Sequence, residues 1–335
     1  MYFIELYKAA TEQLGSDKAL IRMTALYTLE RLANDYPKYR QTVVNIICAY
    51  LRMPFAESPP PETVNAKELA MLPVIERAAV VVTVAEPAAV WQQERHVRLA
   101  AQRILHTHLR ASASTHWTDL SLDLIGATLI DFTLAGCALA TANFREAAFS
   151  GAADFREATF SGPIIFREAT FAKSADFRRA AFSGAVDFRR AAFSGAVDFR
   201  EAAFSGYAGF FEATFSASAD FGKATFSRAV SFGKATFSGI ADFRRTALSG
   251  TVSFGKATFS GTADFREATF SKVAQFTAAS FEGGPEMAGA TVTDASPDHH
   301  VLPRGWRIEP AEGRAGRIVA ESGPEAPPGS VPNGA

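Results

Sequence analysis

The chain has 335 residues, enough for two domains and a sizeable core, and its 48% hydrophobic and 21% charged content is that of ordinary globular proteins. Lysine plus arginine (34) nearly balance aspartate plus glutamate (35), so net charge gives no reason to expect nucleic acid, an acidic membrane surface or acidic mimicry. Two cysteines, Cys48 and Cys137, lack metal-type spacing and point to a reduced, cytoplasmic setting.

The opening MYFIELYKAATEQLG lacks the basic leader, apolar core and small-residue cleavage site of a signal peptide. The most apolar later stretch, residues 78–85, is far below the ~20 residues of a spanning helix, so no membrane span is expected. Within residues 1–56, Ile21, Ala25, Leu29 and Leu32 recur at three or four positions and predict a helix between Gly15-Ser16-Asp17 and Pro37. A further helix is expected through RQTVVNIICAYLR, and the segment resembles one unit of a HEAT or armadillo repeat. Residues 57–87 open with SPPPE and read as a Pro-rich linker with a short helix. Residues 88–117 are expected to form a capping helix over about 88–110, with Val97, Ala101, Ile104 and Leu105 on its apolar face and Trp117 just beyond.

From Phe144 to Phe281 an aromatic stands at alternating intervals of five and six, leucine substituting only at Leu248, and two places before it lies a small residue, usually alanine, with Ile164, Val186, Val197, Val230, Thr246 and Val252 as larger exceptions. Phe155, Phe160, Phe166, Phe171, Phe177, Phe182, Phe188, Phe193, Phe199 and Phe204 carry the pattern through its centre. An eleven-residue period also suits a helical coil. At ~100° per residue, however, phenylalanines five or six apart point 120–140° away from each other, and no seam forms. Locally the period is two: alanine and phenylalanine share one side, aspartate and arginine the other. A five-residue strand cannot bury its apolar side alone, so successive segments must stack as a solenoid.

These A-(D/N)-(L/F)-x-x units resemble the pentapeptide-repeat family, and Leu124, Leu129, Leu134, Leu139 and Phe144 keep its strict five-residue spacing. The resemblance implies a mainly β fold: a right-handed quadrilateral β-helix over residues 118–283, behind a small α-helical domain. One added residue at every second corner raises the winding from 20 to 22 residues per turn, and about seven turns are expected. Residues 284–335 are assigned to a cap around LPRGWRIE with Trp306 and, after about 309, a disordered tail rich in glycine, proline and glutamate.

A 22-residue turn stacks Asp154, Asp176, Asp198, Asp220, Asp242 and Asp264 into an acidic column. Arg156, Arg178, Arg200, Arg244 and Arg266 form a basic column beside it, interrupted at Gly222. The opposite face is irregular (Asn143, Ile165, Asp187, Gly209, Ser231, Ser253, Gln275), and Tyr207 with Phe211 marks the place for a partner surface, against drift as the alternative. His106, His108 and His116 have no acidic or cysteine partner at metal spacing, and no nucleophile elbow, P-loop or dinucleotide fingerprint is present. No catalytic residue, cofactor or metal is therefore expected. The leading function is a non-enzymatic scaffold for an unidentified protein, without nucleic acid. The alternative that the resemblance implies is a DNA-mimicking modulator of DNA gyrase, of the quinolone-resistance type. Acidic and basic residues between 119 and 282 match one for one, which counts against that alternative. Ice binding through Thr159, Thr225 and Thr269 is interrupted by Ala181, Ala203 and Ala247.

Overall fold

The computed structural model describes residues 2–56, 74–296, 300–311 and 313–321, with the side chains of 2–3 and 74–87 excepted. The SPPPE spacer and the segment after 321 lie outside the described residues. Helices α1 (Tyr2–Leu14), α2 (Ala19–Asp35), α3 (Arg40–Leu51) and α4 (Val74–Leu109) precede a β-solenoid of about eight turns. α2 buries Ala25, Leu26, Leu29, Leu32 and Ala33, and of the expected stripe only Ile21 is left half-buried. α4 differs from expectation, running 36 residues and passing through Pro87 rather than starting after it. Proline removes one hydrogen bond from a helix and crowds the preceding turn, at about 3 kcal/mol. It need not end a helix whose C-terminal half is anchored, and here Val97, Ala101, Leu105 and Leu109 are fully buried.

Each turn of the solenoid has four sides, and each side stacks into a parallel sheet. Face I runs from Ser121–Asp123 to Ala274–Gln275, face II from Thr128–Leu129 to Ser280–Phe281. Face III runs from Ala153–Asp154 to Pro285–Glu286, and face IV from Ala138–Leu139 to Thr291–Val292. The winding changes along the axis. Ser121 lies under Thr141 and Thr128 under Ala148, twenty residues on; Ala138 lies under Thr159; from Ala142 under Ile164 onward the interval is 22. The stack continues past 283 to Val292, so the rod is longer than the seven turns expected.

Why these residues wind this way follows from two kinds of corner. Where Phe155-Arg156-Glu157-Ala158 turns, the Ala158 N–H donates to the Phe155 carbonyl at 3.1 Å and Glu157 sits at φ 57°, the geometry of a type II turn. That left-handed position is held by Glu, Arg or Lys through most of the rod, although glycine would fit it at less steric cost. At the other corner, S-G plus one residue, turns approach closely: a Cβ on Gly184 would overlap the carbonyl of Gly162.

The interior is four columns of rings. On face III, Phe155, Phe177, Phe199, Phe221, Phe243 and Phe265 stack at 4.7–5.0 Å and within 10° of parallel. Facing columns meet edge to face, as with Phe155 and Phe166 at 5.4 Å and 87°. Both arrangements suit the ring quadrupole and contribute about 0.5–1.5 kcal/mol per pair beyond burial. The residue two places before the ring is buried as well, alanine at most positions because the rings already fill the turn, with Ile164, Val186, Val197, Val230 and Val252 as the larger residues the core admits. Leu248 replaces phenylalanine on face IV, and the volume it leaves is balanced by Thr246, a buried threonine in the alanine position whose Oγ1 donates to the Phe221 carbonyl at 2.9 Å.

Both ends of the rod are covered. At the first turn, side-chain amides take the place of a missing strand. Gln41 of α3 donates to the Ser121 carbonyl and accepts from the Ser121 N–H, both at 2.9 Å. Gln102 of α4 does the same to Ile130, at 2.7 and 2.9 Å. Trp117 is fully buried behind them, stacked on His108 at 4.3 Å and donating to Asn34 Oδ1. At the last turn the expected fold-back around Trp306 occurs, but it extends beyond 309. Trp306–Pro310 and Gly316–Ala320 form an antiparallel hairpin joined to face IV. The segment to Ala320 is thus ordered, because its alternating residues bury Ile318 against the end of the core. On face I, His300 Nδ1 accepts from the Ala274 N–H at 3.3 Å, replacing a carbonyl of the absent next turn.

Candidate functional site

The charged columns stand on face III, Asp176 in register with Asp154 and Asp198. Each arginine chelates the aspartate two residues before it. Arg156 Nη2 lies 2.7 Å from Asp154 Oδ2, with the same pairing for Arg178 on Asp176, Arg200 on Asp198, Arg244 on Asp242 and Arg266 on Asp264. The Nε of Arg156, Arg178, Arg200 and Arg244 then reaches toward the aspartate one turn on, at 3.7, 3.6, 3.4 and 3.5 Å. Burial pushes the Asp264 carboxyl up, but hydrogen bonds from Arg266 more than offset this and leave it below the usual range. Asp154 behaves alike, with Arg156 as the partner. Asp220 is the exception: with glycine at 222 it accepts only the Gly222 N–H at 2.8 Å and the long contact from Arg200, and burial, then Asp242 and Asp198, raise its pKa.

Two further charge columns, missed at the sequence level, stand on the left-handed corners. Arg179 lies between Glu157 (3.7 Å) and Glu201 (2.9 Å), and Arg245 pairs with Glu267 at 2.8 Å. On the neighbouring corner Arg190 bridges Glu168 and Glu212, while Lys234 joins Glu212 at 3.0 Å. Counting residues 22 apart at the position after each arginine would have found them.

On face I, Tyr207 is 44% exposed and Phe211 is half-buried. Both rings lie over glycines: an added Cβ would come 3.0 Å from Tyr207 at Gly209 and 3.1 Å from Phe211 at Gly233. Lys234 Nζ sits 5.0 Å above the Phe211 ring. The aromatic pair therefore occupies space left by missing side chains, in the stretch where the Asp187 and Arg189 type of pairing stops.

The remaining ionisable groups are structural. Cys48 and Cys137 are buried free thiols, both pushed up to about 12 by burial, far from the reactive range. Arg98 is fully buried, bound by Glu94 and by the carbonyls of Leu51 and Met53. His108 meets Glu30 at 2.6 Å, His106 meets the Ala135 carbonyl, and the buried His116 Nε2 has no hydrogen-bond partner among the described residues. Among the described residues no group of His, Cys, Asp or Glu is arranged to hold a metal, and no helix is long and apolar enough to cross a membrane.

A family model of pentapeptide repeats, nine copies, matches residues 134–181, 210–258 and 254–296. No curated protein and no solved structure matches the chain significantly. The four-sided winding, the inward phenylalanines and this match identify the rod as a pentapeptide-repeat β-solenoid, preceded by a helical segment.

Proposed function

We propose that the protein is a non-enzymatic scaffold whose rod presents an ordered array of side chains to another protein, with face I around Tyr207 and Phe211 as the contact. The observation that carries this is the contrast between faces. Faces II and IV offer threonine, alanine and serine, and face III holds all its aspartates except Asp220 in internal arginine pairs, whereas face I sets a solvent-facing tyrosine and a half-buried phenylalanine side by side. Aromatic rings held on a rigid backbone lose little entropy on contact and are favoured anchors at interfaces. Solenoids of this kind are generally structural rather than catalytic, and the perturbed groups here trace to burial or to ion pairs.

The gyrase-modulating alternative requires a strongly negative surface, and the arginine-paired aspartates of face III weigh against it. Gyrase supercoiling is expected to be unchanged by excess protein. Affinity capture from native lysate with the full chain, followed by mass spectrometry, tests the scaffold reading. A specific protein retained by the wild type and lost from Tyr207→Ser/Phe211→Ser supports it. Equal recovery by both, or none by either, rejects the proposed contact.

A further inference from the structure

We propose that the gap at Gly222 is a socket for an arginine side chain of a protein partner, a second contact surface on the face opposite Tyr207 and Phe211, and this reading rests on the scaffold function above. Five of the six aspartates on face III hold a guanidinium from their own chain, and those five define where a sixth belongs. The groove of about 350 Å³ beside Arg156, Arg178 and Arg200 widens at the remaining step to about 460 Å³, where Asp220, Gly222 and Asp242 line it with Arg200 and Arg244 at its ends and Lys223, Arg245 and Arg266 also on its wall. The floor is built: the Gly222 N–H fixes Asp220 Oδ1 at 2.8 Å, as the Arg244 N–H fixes Asp242 Oδ1 at 2.8 Å. The outer oxygen of Asp220, which elsewhere takes the arginine Nη2 at 2.5–2.7 Å, has only Arg200 Nε at 3.4 Å. The carboxylate is thus oriented for a two-pronged donor that the chain does not provide.

The guanidinium chemistry is specified by the neighbouring turns. At the occupied steps the planar cation forks onto one carboxylate, Nε to Oδ1 and Nη2 to Oδ2, and the Nε of Arg156, Arg178, Arg200 and Arg244 also lies 3.4–3.7 Å from the aspartate one turn on. A lysine ammonium is a single point and cannot make that fork. Lys223, the nearest spare cation, stands on the adjacent corner, where its charge acts on Glu201, and makes no ion pair among the described residues. Arg245 beside it is engaged by Glu267. The socket therefore remains short of one positive charge relative to its own repeat.

The test follows the Gly222 amide by NMR in the full chain during titration with N-acetyl-arginine amide, the lysine amide and the neutral citrulline amide. The expected result is a shift of Gly222 with the arginine amide that approaches saturation on the order of hundreds of millimolar, as one partly exposed pair implies. The lysine amide should act several-fold more weakly and the citrulline amide not at all. Gly222→Arg, which supplies the missing guanidinium in cis, should abolish the response at the neighbouring amides. An equal response to citrulline, an undiminished response in Gly222→Arg, or no shift at Gly222 would overturn the proposal. A shift at Gly222 combined with failure of lysate capture would sink the scaffold reading while leaving the socket chemistry standing.

Discussion

Phe199→Ala removes a ring from the middle of the face III column. Phe199 is fully buried and stacks on Phe177 at 4.7 Å and Phe221 at 4.9 Å. It meets Phe188 and Phe210 edge to face at 5.5 and 5.7 Å. Burial of such a side chain is worth about 1.5–3 kcal/mol, and the cavity left between flanking turns cannot close because each turn is fixed by its ladder to the next. A loss of about 4 kcal/mol is expected, in the ~3–5 kcal/mol range for phenylalanine truncation in a packed core. Phe281 at the end of face II is the control: it is half-buried, stacks only on Phe259 at 4.7 Å and tilts against Phe276 at 6.3 Å. Its truncation should cost about 1–2 kcal/mol on the same reasoning. Equilibrium denaturation by urea, followed by circular dichroism, gives both values. Equal costs at the two positions, or a loss below about 1.5 kcal/mol at Phe199, would refute the column as the source of stability.

Gln102→Leu leaves the buried N–H and carbonyl of Ile130 without partners and should destabilise the first turn by about 2 kcal/mol. Hydrogen exchange at the Ile130 amide should rise well above that of amides in the middle of the rod. Asp220 has a raised folded-state pKa, so its protonated form favours folding and its charged form opposes it. Asp220→Asn should raise the melting temperature at pH 7, with the gain vanishing as pH falls below the ordinary aspartate pKa, where the wild-type carboxyl is already protonated. Asp264→Asn should do the reverse, because Asp264 has a depressed pKa and contributes stability that is lost as pH falls through it. Leu248→Phe alone overpacks against Thr246 and should cost about 1–3 kcal/mol. Adding Thr246→Ala should recover most of that loss, and a coupling below about 0.5 kcal/mol in the double-mutant cycle would show that the two sites do not share volume.

How much could be read in advance varies with the range of the cause. The aromatic spacing encodes which side chains point inward and the 22-residue register, because one folding rule is written many times over. The aspartate and arginine columns follow from that register by counting. The passage of α4 through Pro87 was not legible, since the proline signal is local and the burial of Val97, Ala101, Leu105 and Leu109 that anchors the helix is tertiary. The hairpin of Trp306–Pro310 and Gly316–Ala320 was hidden by its glycine, proline and glutamate, although WRIEP and GRIVA each alternate as strands do. Neither Gln41 nor Gln102 carries any motif; a glutamine becomes an end cap only when a helix places its amide opposite an unpaired strand. The space beneath Tyr207 and Phe211 likewise depends on Gly209 and Gly233, whose meaning appears only once the turns are superposed.

The central claim is the winding itself, and cysteine cross-linking with a short bifunctional reagent tests it most directly. Ala181 and Ala203, 22 residues apart, are adjacent register partners on face IV, whereas Ala192, eleven residues from Ala181, lies on face II across the rod. Both native cysteines are buried and should stay unreactive in the folded chain. Ala181→Cys/Ala203→Cys should cross-link rapidly within one molecule, and Ala181→Cys/Ala192→Cys should not. Efficient linkage of the eleven-residue pair, or none in the 22-residue pair, would contradict a four-sided coil of 22 residues per turn.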